Sequence, residues 1–259
     1  MTDNSNYSSR FSNNVREYVG DTAYSLVKIF LYVFAGLIIT SVIALGLGAI
    51  YRYILEIDYN NGVDANLQLN AVIVLLVLLV ASFIAIIVIS IVVPITVARG
   101  KRSVLVPAIL YTIFMGIALS TIAIFIPWYL LGITFMITSV IFAFMALIAF
   151  LAKGKLNGLA IAAMGLFMGA GLLSLFLWIL MLVLPAGTIT WLYWVIVLAS
   201  FAAMMLITIW DMWRIKKIAE QGEMTNNLSL YCAYILYNDF IYILLKVLRL
   251  VLIAYSKKR

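Results

Sequence analysis

Seven apolar stretches decide what this chain can fold into. They run Val27–Ile50, Leu69–Val97, Val104–Ile126, Tyr129–Leu151, Leu156–Leu184, Ile189–Trp213 and Leu228–Tyr255. Each exceeds the roughly 20 residues that carry a helix across a ~30 Å hydrocarbon layer. Lipid offers the backbone no hydrogen bonds, so a crossing segment must satisfy its own, and a helix does. The expected fold is therefore an all-α membrane protein, a seven-transmembrane helix bundle. Composition agrees: 66% of the 259 residues are hydrophobic and 10% charged, against about 25% charged in soluble domains.

Residues 1–25 are polar, rich in Asn, Ser and Tyr, with no sustained apolar period. They read as a flexible cytoplasmic tail, with at most a short interfacial helix around Val15–Tyr24. Residues 26–259 form the membrane domain. Ile126-Pro127-Trp128 and Pro185-Ala186-Gly187-Thr188 predict tight turns, hence antiparallel hairpins. Pro107 falls in a first helical turn, where a missing N–H costs little. Pro94 lies inside the second span, where a kink is expected. Small residues repeat every four positions at Gly36, Thr40, Ala44 and Gly48, and again at Gly165 and Gly169. That spacing lets helix backbones approach closely.

Basic residues set the expected orientation. Arg10, Arg16 and Lys28 precede or begin span one. Arg99, Lys101 and Arg102 join spans two and three, Lys153 and Lys155 join four and five, and Arg214, Lys216 and Lys217 join six and seven. The other side holds Arg52 with Glu56, Asp58 and Asp64. This bias puts the N-terminus in the cytoplasm of a cell whose plasma membrane the chain crosses. Lys257-Lys258-Arg259 runs against it if all seven segments cross. The net charge of +7 is thus spread as orientation signals. The lipid bilayer is the expected partner, and nucleic acid is not.

The chain has no histidine and one cysteine, Cys232. This excludes His-based metal sites, Ser–His and Cys–His catalysis, and intrachain disulfides. Cys232 reads as a small apolar core residue. A proton response near neutrality then falls to a carboxylate.

Two acidic residues lie within apolar spans, Asp211 and Asp239. A carboxyl at membrane depth is costly, so it usually faces the protein interior and marks a pathway or relay. Asp239 lies about eleven residues into its span, roughly 16 Å along the helix. Tyr242, Lys246 and Arg249 follow on the same side of that helix at about 100° per residue. The seventh span therefore carries a polar stripe, and the others are expected to wrap it. Asp211 reads as the cytoplasmic end of its span, facing the negative end of the helix dipole. It needs a cation there, either Arg214 or Arg99. If the two carboxyls meet, both cannot ionise cheaply and they titrate as one unit. Protonated, the pair shares a hydrogen bond; ionised, it repels or recruits a cation. Calcium takes six to eight oxygens, so two aspartates fit passage better than storage.

The segments Trp210-Asp211-Met212-Trp213-Arg214-Ile215 and Leu236-Tyr237-Asn238-Asp239-Phe240-Ile241-Tyr242-Ile243-Leu244-Leu245-Lys246-Val247-Leu248-Arg249 resemble the Bax inhibitor-1 family, also called the transmembrane Bax inhibitor motif family. Leu110-Tyr111-Thr112-Ile113-Phe114-Met115-Gly116-Ile117-Ala118-Leu119-Ser120 is similar to that family's third-span signature. The Lys153-Gly154-Lys155-Leu156 connection also fits. The resemblance implies six helices around a central C-terminal helix. It implies a calcium leak gated by a proton-sensing aspartate pair, here Asp211 and Asp239, with Arg99 as a loosely matched basic partner and no resident cofactor. Trp210 departs from the usual Tyr, Lys246 from a neutral polar residue, and the connection between spans six and seven reads as longer than usual.

Three functions compete at this stage. The preferred one is a pH-sensitive leak for calcium or another cation, along Asp211, Asp239, Arg99, Tyr242, Lys246 and Arg249. The alternative is a membrane interaction protein that restrains a membrane protease or a cell-death or stress factor. The third, an intramembrane aspartyl protease, lacks its expected Gly-x-Gly-Asp, because Asp239 follows Tyr237 and Asn238.

Overall fold

The computed structural model describes the backbone of residues 4–61, 65–99, 103–152, 156–181, 190–222 and 224–256. It describes the side chains among them apart from 4–22, 55–61, 65–68, 157, 176–181, 190–191 and 256. The second predicted turn, at Pro185–Thr188, and the connections carrying Lys101, Arg102, Lys153, Lys155 and Lys257–Arg259 lie outside the described residues.

The described residues form seven helices: α1 Asn4–Asn61, α2 Ala65–Arg99, α3 Leu105–Phe125, α4 Trp128–Leu151, α5 Asn157–Met181, α6 Thr190–Glu220 and α7 Asn226–Ser256. Six contain stretches long and apolar enough to cross a membrane: Ala23–Ile54, Leu69–Arg99, Leu105–Phe125, Trp128–Leu151, Gly158–Leu175 and Leu192–Glu220. Large apolar side chains on them are exposed, among them Leu76, Ile87, Phe144 and Met168. Water would not tolerate so extensive an apolar surface; lipid does. The chain is an all-α membrane bundle. α7 is as long as α6 but is interrupted by Asn238, Asp239, Lys246 and Arg249.

Helix α1 begins at Asn4, ahead of its apolar span. Nucleating a helix is its costly step, and a long apolar span supplies the nucleus from which polar residues extend. α2 runs through Pro94 to Arg99. Between α6 and α7 only residues 221–225 are non-helical, because α6 continues past its apolar span to Glu220. α6 outruns its apolar stretch and stops at Gly222, whose φ of 73° is open to glycine without strain. The Thr225 hydroxyl then accepts from the Leu228 N–H at 3.3 Å, capping the start of α7.

The chain divides into two compact units. The first comprises residues 1–131 and 218–237, and the second 132–217 and 238–259. In the first, α1 lies against α3 through small residues. A Cβ on Gly48 would stand 2.8 Å from the Ala123 Cβ, and one on Gly116 would stand 2.8 Å from the Ile43 Cβ and 3.0 Å from the Thr40 carbonyl oxygen. The stripe on α1 is therefore a packing face, as its spacing predicts. Thr40 lies on it and gives its hydroxyl proton to the Thr112 carbonyl at 3.1 Å. The Tyr237 hydroxyl, 2.6 Å from Thr40 Oγ1, must therefore be the donor of that second bond. The stripe on α5 is a correction, since among the described residues a Cβ on Gly165 or Gly169 meets nothing within 4 Å.

These glycines make a paired prediction. Gly116→Ala gains ~0.5–1 kcal/mol of helix propensity but meets an overpacking cost of about 1–3 kcal/mol. We expect its thermal midpoint in detergent to fall by about 2–4 °C. Gly165→Ala should hold or rise. Equal midpoints for the two variants would contradict the α1–α3 contact.

Two cations read above as orientation signals hold helix ends. Arg52, half-buried, donates to the carbonyls of Ala123 at 3.1 Å, Ile124 at 2.7 and 3.2 Å, and Ile126 at 3.0 Å. Those carbonyls belong to the end of α3, where no helical N–H remains to meet them. In the second unit, Lys216 donates to the Phe150 carbonyl at 2.7 Å, in the last turn of α4.

Candidate functional site

Within the second unit, α6 and α7 run antiparallel. Thr208 on α6 is the side-chain hydrogen-bond partner of Asp239 on α7. Further along, the Lys246 ammonium donates to Ser200 Oγ at 3.0 Å. Rising numbers on one helix thus meet falling numbers on the other. α7 is seated against α4 by Phe240, whose ring lies 5.5 Å from that of Phe135 and 5.3 Å from that of Phe142.

This packing buries Asp239 to 7% exposure. Its Oδ2 has no hydrogen-bond partner among the described residues. Asp211 is half-buried and close enough to act on Asp239 electrostatically. The two predicted acidic residues therefore lie within electrostatic range of each other. The cation within reach of Asp211 is Arg214, which also lies over the Trp210 ring at 5.4 Å. Arg99 ends α2 in the other unit and is exposed.

Asp211 does not sit at the helix end that its place in the apolar span suggests. α6 continues to Glu220, roughly 14 Å past Asp211 at 1.5 Å per residue. The dipole acts within the last turn, so Asp211 does not need a cation on that account.

The polar stripe on α7 is also corrected. Asp239 is buried, but Tyr242 is 50% exposed and Arg249 is exposed. Packing against α4 and α6 covers only one edge of the stripe. Lys246 and Arg249 lie roughly 10 Å or more beyond Asp239 along α7 and contact Ser200 and Tyr193 instead.

Sequence reasoning passed over four neighbours of the pair. Thr208 stands three residues before Asp211, on the same helical face, and that i, i+3 spacing was the available signal. The indole N–H groups of Trp210 and Trp213 and the Asn238 Oδ1 are buried without a hydrogen-bond partner among the described residues. All flank Asp211 or Asp239 in sequence. Buried polar atoms are nearly always satisfied, so the open Oδ2 of Asp239 has room for a partner that the described residues do not supply.

The hydrogen bonds of Thr208 give the pair a way to handle a proton. Its hydroxyl donates to the Met204 carbonyl at 3.0 Å. A hydroxyl carries one proton. In this arrangement Thr208 accepts from Asp239 when that carboxyl is protonated. An ionised Asp239 is satisfied only if the Thr208 hydroxyl turns away from Met204.

A family model described as Inhibitor of apoptosis-promoting Bax1 matches residues 23–256. The chain belongs to the Bax inhibitor-1 family. The match covers every helix from the first apolar span onward and includes both aspartates. No curated protein and no solved structure matches the chain. As a Bax inhibitor-1 family member, it is a multi-pass membrane protein whose helices meet the lipid bilayer.

Proposed function

We propose that this Bax inhibitor-1 family member passes a cation across the membrane, calcium first among candidates, under the control of protons on Asp211 and Asp239. The observation that carries the reading is the carboxyl of Asp239, 7% exposed, open at Oδ2 and within electrostatic reach of Asp211. Ionised, the pair attracts a cation. Protonated, it is neutral and Asp239 bonds to Thr208. Among the described residues no three His, Cys, Asp or Glu side chains cluster as a metal site. Two carboxylates with the oxygen of Thr208 fall short of a calcium cage, which favours transit over storage. On the charge bias of the connections, the same proposal puts the N-terminus in the cytoplasm and the chain in the plasma membrane.

The test is calcium entry into dye-loaded liposomes containing only the purified protein. Flux above that of empty liposomes supports the reading. A second reading, restraint of another membrane protein, draws on α1, whose helix begins at Asn4, well ahead of its apolar span at Ala23. Absence of flux together with a stoichiometric membrane partner recovered by crosslinking would favour that reading.

A further inference from the structure

We propose that a cleft between α5, α6 and α7 in the second unit binds the phosphate group of an anionic lipid through Lys246 and Arg249. The cleft encloses about 320 Å³. Its walls come from matching helical faces, with Phe167 and Ser174 on α5 and Tyr193 and Ser200 on α6. Among the described residues no Asp or Glu lines it. Two cations one turn apart on α7 therefore share an apolar recess without a carboxylate to neutralise them, and they interact electrostatically.

Each cation is already oriented. Lys246 gives one N–H to Ser200 Oγ at 3.0 Å, and Ser200 passes its own proton to the Val197 carbonyl at 2.9 Å. An ammonium has three donors, so others remain for a ligand. The Arg249 guanidinium lies over the Tyr193 ring, 5.0 Å from its centroid. That stacking engages a face and leaves the N–H edge available, with the fork geometry that suits phosphate oxygens. Cations in lipid are costly unless paired, and an anion supplies the pair.

The shape selects the source. Phe167 is 55% exposed and Arg249 is exposed, so the recess opens to the protein's lipid-facing surface. A headgroup can enter with its chains left in the hydrocarbon. Inorganic phosphate offers the same oxygens without the chains. The inference does not depend on the aspartate pair, and its test uses no flux.

The protein is purified in mild detergent from bilayers holding equal phosphatidylglycerol and phosphatidylcholine, and the retained lipid is weighed by native mass spectrometry. The anionic lipid should be enriched by about 30-fold if each basic residue contributes as it does at a charged membrane surface. Lys246→Gln with Arg249→Gln should remove most of the enrichment, Lys246→Arg should keep it, and Lys217→Gln, outside the cleft, should leave it unchanged. The parent's thermal midpoint should also rise in phosphatidylglycerol relative to phosphatidylcholine, a readout that needs no variant to fold. The proposal is overturned if the parent shows neither enrichment nor a midpoint shift. It is overturned equally if Lys217→Gln loses as much as the cleft variant, or if inorganic phosphate at millimolar concentration gives the full midpoint shift without lipid.

Discussion

Asp239→Asn is expected to cut calcium flux in dye-loaded proteoliposomes by about 10- to 100-fold. Asparagine keeps the shape of the side chain and loses its charge at every pH. A bond from a charged group is worth about 1.5–3 kcal/mol, and about 1.4 kcal/mol is tenfold. The sign of the pH response follows from the same chemistry. In the parent, raising the pH ionises the pair, turns the Thr208 hydroxyl from Met204 toward Asp239 and draws a cation in, so flux rises. In the variant residue 239 cannot ionise, so the share of the pH response that belongs to Asp239 should be lost and only the response of Asp211 should remain. Equal flux for parent and variant would remove Asp239 from the mechanism.

Arg52→Ala is expected to produce the largest loss of stability. One guanidinium serves the carbonyls of Ala123, Ile124 and Ile126. Alanine leaves all of them without a donor at a helix end within the bundle, where orphaned carbonyls are expensive. We expect a loss of about 3 kcal/mol, lowering the thermal midpoint by about 6–12 °C. Arg52→Lys keeps the charge but not the fork and should recover less than half of that. A midpoint within a degree of the parent would show that the α3 end is satisfied without Arg52.

The helices were legible in the sequence because lipid demands long unbroken apolar runs, and the seven runs match seven helices. The aspartate pair was legible for the same reason: a carboxyl such as Asp239 stands out in an apolar run. What escaped was whatever depends on which neighbour a helix meets. Arg52 and Lys216 look like orientation signals until packing brings helix ends to them. Gly36 and Gly48 belong to the same four-residue spacing as Gly165 and Gly169, yet among the described residues only the first pair meets another helix, Gly36 against Thr112 and Gly48 against Ala123. The stripe on α7 was assembled correctly by periodicity and misassigned by orientation, because a helical wheel does not say which edge is covered. The ends of α1 and α6 escaped because polar residues extend a helix that an apolar span has already nucleated.

The central claim is that Asp211 and Asp239 act as one unit. A double-mutant cycle on flux tests it most directly, with Asp211→Asn and Asp239→Asn separately and together at one pH. The two carboxyls are in electrostatic reach of each other, so the losses should not multiply. The double variant should fall no more than about twofold below Asp239→Asn, a coupling on the order of 1 kcal/mol or more. Losses that multiply in full would mean that the aspartates act independently, and would contradict the account.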